Sequence, residues 1–451
     1  MTIQKDSQDK LTFYGGLVGA MAPLFLFLTG VIWLGLSGAP DEKGFWPVLM
    51  AALALGLILA RDRARYSETL ITGMSRPIVM VMIMAWLLAG ILAKLMNASG
   101  FVLALVWLAE SAGLQGGLFC AAAFLICCAV STSTGTSLGT ILLCGPLLYP
   151  AGDALAASPF ILMGAIIGGA TFGDNISPVS DTTIASAMSQ DAEMGAVVRS
   201  RLAYALPAAV FALIAYTLFG GAEKESTSLV LEGGPKALVM LIAPALVIVM
   251  MLKRRHLLEG LMAGCLTAII LSVGMGLIEP AQLLYINKDA FVAQGLIWDG
   301  MNSGIGISIF TILVMGLAAG VEATGILDRI TSGEEASSIR WAETRIVMTV
   351  SAAVLLTTHA VVAILSSGPV AKKLGAQHQL SPSRRANLLD VTVSTWPFLL
   401  PYFIPTILAA SVTGTGAARL SPLEIGLANF HSWGLMVMII IALATGYGRK
   451  S

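Results

Sequence analysis

Long apolar runs dominate this chain and leave it few folds. They are Gly16–Leu36, Phe45–Ala60, Ile78–Met96, Leu202–Phe219, Ala237–Leu252, Leu257–Leu277, Ile305–Ala319 and Trp433–Thr445. Each reaches, alone or with a few flanking residues, the ~20 residues that carry a helix across a bilayer. Hydrophobic residues make up 57% of the 451 and charged residues 12%, too little polar surface for a soluble protein of this length. In lipid every backbone N–H and C=O must find an internal partner. The expected class is therefore an all-α polytopic membrane protein, with the lipid bilayer as its first partner. Net charge is zero, so no nucleic acid or other polyanion is implied. The first run follows Lys5 and Lys10, is longer than a signal-peptide core and has no small-residue cleavage site; it reads as a retained helix. Cys120, Cys127, Cys128, Cys144 and Cys265 lie in apolar stretches without C-x-x-C spacing, and read as packing residues.

Against this background Gly173-Asp174-Asn175-Ile176-Ser177-Pro178-Val179-Ser180-Asp181-Thr182-Thr183 stands out. A carboxylate at bilayer depth costs ~2.5–3.5 kcal/mol on insertion scales. Pro178 removes a backbone donor and frees a carbonyl. Such a segment is tolerated only when buried in protein or lining a cavity, and it reads as an ion-binding centre.

The chain also repeats itself. Shifted by 223 residues, Thr134–Ala187 falls on Thr357–Ala410 without a gap. Gly145-Pro146 meets Gly368-Pro369, Ser158-Pro159 meets Ser381-Pro382, and Pro178 meets Pro401. This predicts a first transmembrane repeat over 1–222, an extracytoplasmic linker over 223–236 and a second repeat over 237–451. Repeats in transporters are often inverted, with the site at their interface. Positive charge should mark cytoplasmic loops. If Ser131–Leu148 belongs to a re-entrant hairpin, the basic groups share one side: Arg61 to Arg65, Arg199 and Arg201, Lys253-Arg254-Arg255, Arg340 and Arg345, Lys372-Lys373, Arg384-Arg385 and Arg449-Lys450. Each repeat then has about five transmembrane helices plus one re-entrant hairpin, the broken helices meet at the midplane, and both termini are cytoplasmic in a bacterial inner-membrane arrangement.

Four polar breaks result, two per half. In the first half they are Ser131–Ser137 and Asp174–Thr183; in the second, Thr357-Thr358-His359 and Ser394-Thr395-Trp396-Pro397. Hydroxyls, freed carbonyls and half-helix C-termini are hard oxygen donors suited to alkali cations. The cation and proton candidates are Asp174, Asn175, Ser177, Asp181, Thr182 and Thr183, with Asp174 and Asp181 as the Na+ carboxylates. Asp181 could instead N-cap the helix that follows, and Asn175 could simply satisfy loose backbone groups. From the hairpin and the second repeat come Ser133, Thr134, Thr136, Ser137, Thr357, Thr358, His359, Asp390, Ser394, Thr395 and Trp396. Asp390 lies inside an apolar helix, with Arg384-Arg385 as the nearby ion-pair candidates. His359 could be a core residue or a proton or substrate group. Glu322 and Glu259 read as solvated helix ends. Where the first half has its carboxylates the second has Pro397 and Ile404, so the cation is expected on the first-half side.

The run Phe172 to Thr183 resembles the signature of the NhaC-type sodium/proton antiporter family, within the ion transporter superfamily. The resemblance extends in order through the Ser/Thr/Gly run and the second-half proline motif. It implies a secondary transporter of inverted repeats with hairpins and broken helices and a homodimer, with elevator or rocking motion left open. It carries over Asp174, Ser177, Asp181, Thr182 and Thr183 as functional positions. Asn175 departs from the pattern, standing where many members have Lys. A lysine there would compete with a cation, so its absence should open the site.

Two functions compete. Sodium/proton antiport needs only one carboxylate site with two mutually exclusive occupants, Na+ and H+, and no cofactor. Coupled transport of a small organic solute, an amino acid or carboxylate, would use a pocket lined by Trp396, Phe398, His359 and the hairpin, with half-helix N-termini holding the carboxylate. A channel or scaffold fits less well, since paired broken helices serve alternating access. There is no G-x-x-x-x-G-K-[ST] pattern for an ATP-driven pump, and no polar stretch long enough to form a soluble enzyme domain.

Overall fold

The computed structural model describes residues 10–37, 43–222, 235–288, 291–327, 336–414 and 419–449. The apolar runs all form helices. The first half contains α1 (Gly16–Leu36), α2 (Phe45–Leu59), α3 (Arg63–Met74), α4 (Pro77–Ala98), α5 (Phe101–Ser111), α6 (Gly117–Thr134), α7 (Ser137–Leu148), α8 (Pro159–Ile176), α9 (Asp181–Ser189) and α10 (Met194–Phe219). The second half contains α11 (Ile242–Leu252), α12 (Leu257–Gly274), a short α13 (Pro280–Leu283), α14 (Leu296–Ser303), α15 (Ile305–Glu322), α16 (Ile339–Thr357), α17 (Ala360–Gln377), α18 (Pro382–Val393), α19 (Ile404–Val412), α20 (Pro422–Ala428) and α21 (Phe430–Thr445). One antiparallel pair, β1 (Tyr285–Asn287) and β2 (Val292–Gln294), lies between α13 and α14. Eight helical stretches among the described residues are long and apolar enough to cross a membrane, nine with the bent pair α20–α21. Large apolar side chains such as Val18, Leu218 and Ile270 point outward, as lipid solvation requires. The protein is a multi-pass membrane protein. The predicted linker over 223–236 falls almost wholly outside the described residues.

Helix ends follow local chemistry. Glu193 caps α10 by accepting from Gly195 N–H at 2.8 Å and Ala196 N–H at 2.6 Å. Ser381 caps α18 by accepting from Arg384 N–H at 3.2 Å, and Pro382, whose missing N–H costs nothing at a first helical position, follows it.

The helix boundaries repeat at the predicted shift of 223. α6 and α16 end at equivalent residues, α7 and α17 each begin after two intervening residues, and α9 (Asp181–Ser189) falls on α19 (Ile404–Val412). The tip residues also coincide: Gly135 has φ +67° and Thr358 has φ +54°. α6 and α7 form a hairpin whose two outer ends meet, with Gly116 N–H donating to Leu155 O at 2.7 Å. The same level holds Ser158, whose N–H donates to Gly220 O at 2.8 Å, and the Phe219–Phe430 ring contact. α16 and α17 form a second hairpin, closed at its outer end by His378 Nε2 and Ala336 O at 3.0 Å. That level holds the other end of the bundle, where Arg449 follows α21 and binds Glu343 of α16.

Each post-break helix packs on the other half's hairpin. A Cβ at Gly145 of α7 would lie 3.0 Å from Val412 of α19, and one at Gly368 of α17 would lie 3.0 Å from Ser189 of α9. These two contacts are each other's image under the shift. The hairpin α6–α7 meets the helix break after α8, and α9 continues nine residues beyond it. Ser131 Oγ donates to Ala170 O at 2.6 Å and Ser177 Oγ to Thr132 O at 2.8 Å, fastening tip to break.

The two tips differ in strain. Gly135 suits its left-handed backbone, whereas Thr358 is β-branched and pays for the same conformation with about 1–2 kcal/mol. Thr358→Gly is expected to raise stability in detergent by about 1 kcal/mol, the strain relieved less the extra freedom of the unfolded chain. Gly135→Ala should do the reverse, since its Cβ would lie 2.9 Å from Val179 C and 3.0 Å from Ser180 N. Thermal unfolding of both variants checks the opposite signs.

Candidate functional site

α8 ends at Ile176 because Ser177 turns extended and Pro178 cannot donate to a continuing ladder. Asp174 sits in its last turn, half-buried. Its carboxylate receives two hydroxyls, Ser137 Oγ from the hairpin at 2.7 Å and Ser180 Oγ from the break at 2.7 Å. Thr182 Oγ1 lies 3.0 Å from Ser180 Oγ. Since Ser180 has one proton and gives it to Asp174, Thr182 donates in that contact. A carboxylate has about four lone-pair positions, so two hydroxyls leave Asp174 open to a further ligand. Among the described residues no Lys, Arg or His forms an ion pair with it. The freed α8 carbonyls add negative partial charge at the same point.

A second network lies beside it. Arg201 and Asp390, both fully buried, form an ion pair that joins α10 to α18. The guanidinium also donates to Asn175 O at 2.6 Å, Thr183 Oγ1 at 2.7 Å, Asn387 Oδ1 at 3.0 Å and Ser186 Oγ at 3.4 Å. Asn387 Nδ2 donates to Ser200 Oγ at 2.7 Å, and Asn175 Nδ2 to Ser394 Oγ at 3.0 Å. One arginine thus holds the end of α8, the start of α9 and the middle of α18 together. It matches Asp390 and leaves Asp174 as the carboxylate without a fixed counter-charge.

Several expectations need correction. Arg201 is not a loop residue: the Glu193 cap starts α10 at Met194, which carries Arg201 two turns into the helix. Asp390 pairs with Arg201, not with Arg384-Arg385. Arg384 is buried and binds Glu343 Oε1 at 2.9 Å, while Arg385 Nη2 donates to Gln190 O at 3.2 Å. Asp181 does not cap α9. Ser180 holds the N-cap position and Asp181, exposed, is the first helical residue, placed where the helix dipole favours an acid. Asn175 donates its amide to Ser394, and its carbonyl accepts from Arg201, which pairs with Asp390.

Among the remaining candidates, Ser137 and Thr182 join Asp174, Thr182 through Ser180; Asn175, Thr183, Ser394 and Asp390 join Arg201. Ser177 ties the break to Thr132. The others are engaged elsewhere. Ser133 and Thr134 donate to carbonyls of their own helix, and Thr136 caps α7 by accepting from Gly139 N–H at 3.2 Å. Thr357 and Thr395 bond within their own segments, and Trp396 Nε1 donates to Ser351 Oγ at 2.9 Å. His359 occupies the N-cap position of α17 without a capping hydrogen bond, and its Nδ1, like Thr358 Oγ1, is buried without a partner. Sequence reasoning missed Ser180, Arg201, Ser186 and Asn387. The signal available was the rule that a buried Asp needs a cation, together with the acidic cap at Glu193.

Breaking a buried pair leaves an uncompensated charge and costs about 3–5 kcal/mol, whereas replacing both members by apolar groups costs far less. Arg201→Met and Asp390→Leu singly should each lower stability by about that amount, and the double variant should recover much of it. Thermal unfolding of the four proteins in one detergent measures the coupling.

The sequence profile of the Na+/H+ antiporter family matches residues 21–221, a stretch that contains α6–α9 and Arg201. The chain is 25% identical to the malate-2H(+)/Na(+)-lactate antiporter of Bacillus subtilis, over 68% of this chain and 69% of that protein. It is 26% identical to the Na(+)/H(+) antiporter NhaC of Alkalihalophilus pseudofirmus, over 56% of each. It is 23% identical to the arginine/ornithine antiporter ArcD of Halobacterium salinarum, over 94% of this chain and 93% of that protein. By these matches the chain is a relative of the NhaC-type sodium/proton antiporters, a secondary antiporter and not an enzyme.

Proposed function

We propose that the chain exchanges Na+ for H+ at a shared carboxylate centred on Asp174, with Asp181, Ser177, Thr182 and Thr183 around it. The observation that carries this is the state of Asp174: two hydroxyl donors, no fixed cation, and a position where hairpin tip and helix break meet. Sodium binds the ionised carboxylate together with hydroxyl and backbone oxygens. A proton on the same carboxylate removes the charge that holds the sodium, so the two occupants exclude each other. Asp390 does not share this role while Arg201 neutralises it.

The same reading takes the halves as inverted repeats. Its support is the opposed levels at which the two hairpins close, one beside Gly220 and the other beside Arg449. The hairpins are then re-entrant, and α8–α9 and α18–α19 cross in opposite directions. Arg65, Lys372, Arg384 and Arg449 gather at the second level, which the positive-inside rule makes cytoplasmic. Both termini belong to that side, in a bacterial inner membrane. The family resemblance adds a homodimer.

Relatives named for malate and lactate, and for arginine and ornithine, favour a second reading in which sodium or protons drive a small organic solute.

Purified protein in liposomes, with a pH dye inside, clamped potential and no organic solute, decides between them. Sodium added outside should move protons, and Asp174→Asn should abolish the response with folding intact. Ser137→Ala and Ser180→Ala should retain exchange but need about tenfold more sodium, the loss of one hydrogen bond to a charged group. If no protons move in vesicles holding folded parent protein, sodium/proton antiport without a solute is excluded. If Asp174→Asn exchanges normally, this site is excluded.

A further inference from the structure

A cavity of about 430 Å³ lies away from Asp174, between α4, the end of α7, the α14–α15 junction and the end of α19. That size falls within the ~300–1,000 Å³ usual for small-molecule sites. Its lining holds one charged residue, Lys94, and no carboxylate. Its polar groups are unbalanced. Lys94, Asn97, Tyr149 and Trp86 line it, and none of their side chains has a hydrogen-bond partner among the described residues. Trp86 is 2% exposed, and its indole N–H is buried without an acceptor. The hydroxyls of Ser303 and Ser411 are already spent on Gly300 O at 2.6 Å and Leu408 O at 2.7 Å. Lys94 and Asn97 are exposed and Tyr149 is half-buried, so an ammonium, an amide and a phenol without a protein acceptor border one space, while the indole N–H is closed off from it.

A lysine that merely extended to the membrane surface would need no cavity and no companion donors. A sodium ion would be repelled by Lys94. A carboxylate suits the three open donors, since it accepts up to about four hydrogen bonds and pairs with the ammonium. The apolar remainder, including Ala89, suits a short carbon frame.

We propose that this cavity binds a small organic carboxylate, with Lys94 as its counter-charge and Asn97 and Tyr149 as donors. The cavity has walls from a hairpin arm (α7) and a post-break helix (α19) as well as from α4 and α15, so a bound anion touches both broken-helix elements and their surroundings. This site is separate from Asp174 and stands whether or not sodium alone drives proton movement.

The test titrates the purified full-length protein by calorimetry with succinate, 2-hydroxybutyrate and alanine, and with agmatine as a cation lacking a carboxylate. At least one carboxylate should bind saturably and agmatine should not. Lys94→Gln should weaken that binding about tenfold or more, as loss of a hydrogen bond between charged groups does, and Lys94→Arg should restore most of it. Sodium-driven proton movement without organic solute should be unchanged in Lys94→Gln. No saturable binding to folded parent protein, or equal binding by Lys94→Gln, overturns the proposal. Carboxylate binding without sodium-driven proton movement keeps this site and removes the Asp174 reading; the reverse result removes this site alone.

Discussion

The buried pair of Arg201 and Asp390 is the interaction on which the interior depends. Both side chains are fully buried, and two isolated charges there would each carry a desolvation penalty of several kcal/mol. Matched to each other and wrapped by Asn387, Ser186 and Thr183, they become a neutral polar unit. Arg201 then offers its remaining donors to a backbone that needs them. The carbonyl of Asn175 has lost its helical partner at the break, and Arg201 supplies one. A broken helix inside a bilayer is stable only when such groups are satisfied. The same pair decides the electrostatics, because it uses up one acid and leaves the other unmatched.

Mechanical coupling follows from the crossed packing. α9 of the first half lies on α17 of the second, and α19 lies on α7. At the α9 end the contact is sealed. Gln190 Nε2 donates to Gly368 O at 3.0 Å, Arg385 donates to Gln190 O, and Lys372 pairs with Asp191. Lys372 also draws the exposed Asp191 carboxyl below its usual range, since the ammonium favours the ionised form. At the α19 end lies the cavity beside Tyr149 and Ser411 instead. Two equivalent joints therefore stand in different conditions, one bonded shut and one bordered by open space.

Much of this was legible in the sequence because its causes are local. Proline fixes backbone geometry wherever it stands, so Ser158-Pro159 and Pro178 mark a helix start and a break, while Gly145-Pro146 lies inside α7. Apolar runs announced the helices. What stayed hidden is what depends on contacts between distant segments. Arg201 looked like the flank of a cytoplasmic loop because basic residues usually are, and its partner lies in the other half. Asp390 was assigned to the nearest arginines along the chain, although Arg384 already serves Glu343 and Arg449 adds a second cation to that acid. Ser180 donates to Asp174 across the break, a contact that only the turn at Pro178 creates.

The repeat also bears on why the proposed ion site falls in one half. The shift that superposes the halves puts Pro397 where Asp174 stands and Ile404 where Asp181 stands, while Asp390 falls on Ile167. Duplication preserved the backbone devices, hairpin tip and broken helix, which glycine and proline maintain. It did not preserve charge. Two exposed-state carboxylate sites would oblige each half to carry its own compensating cation at bilayer depth, at the cost each such group brings. Here the second half keeps one acid, hands it to an arginine of the first, and so turns its own break into support. The hydroxyl of Ser394, held by Asp390 O at 2.9 Å and receiving the amide of Asn175, completes that support directly beside the residue that precedes the break. Symmetry of shape with asymmetry of charge leaves Asp174, among the described residues, as a carboxylate of the break without an ion-pair partner.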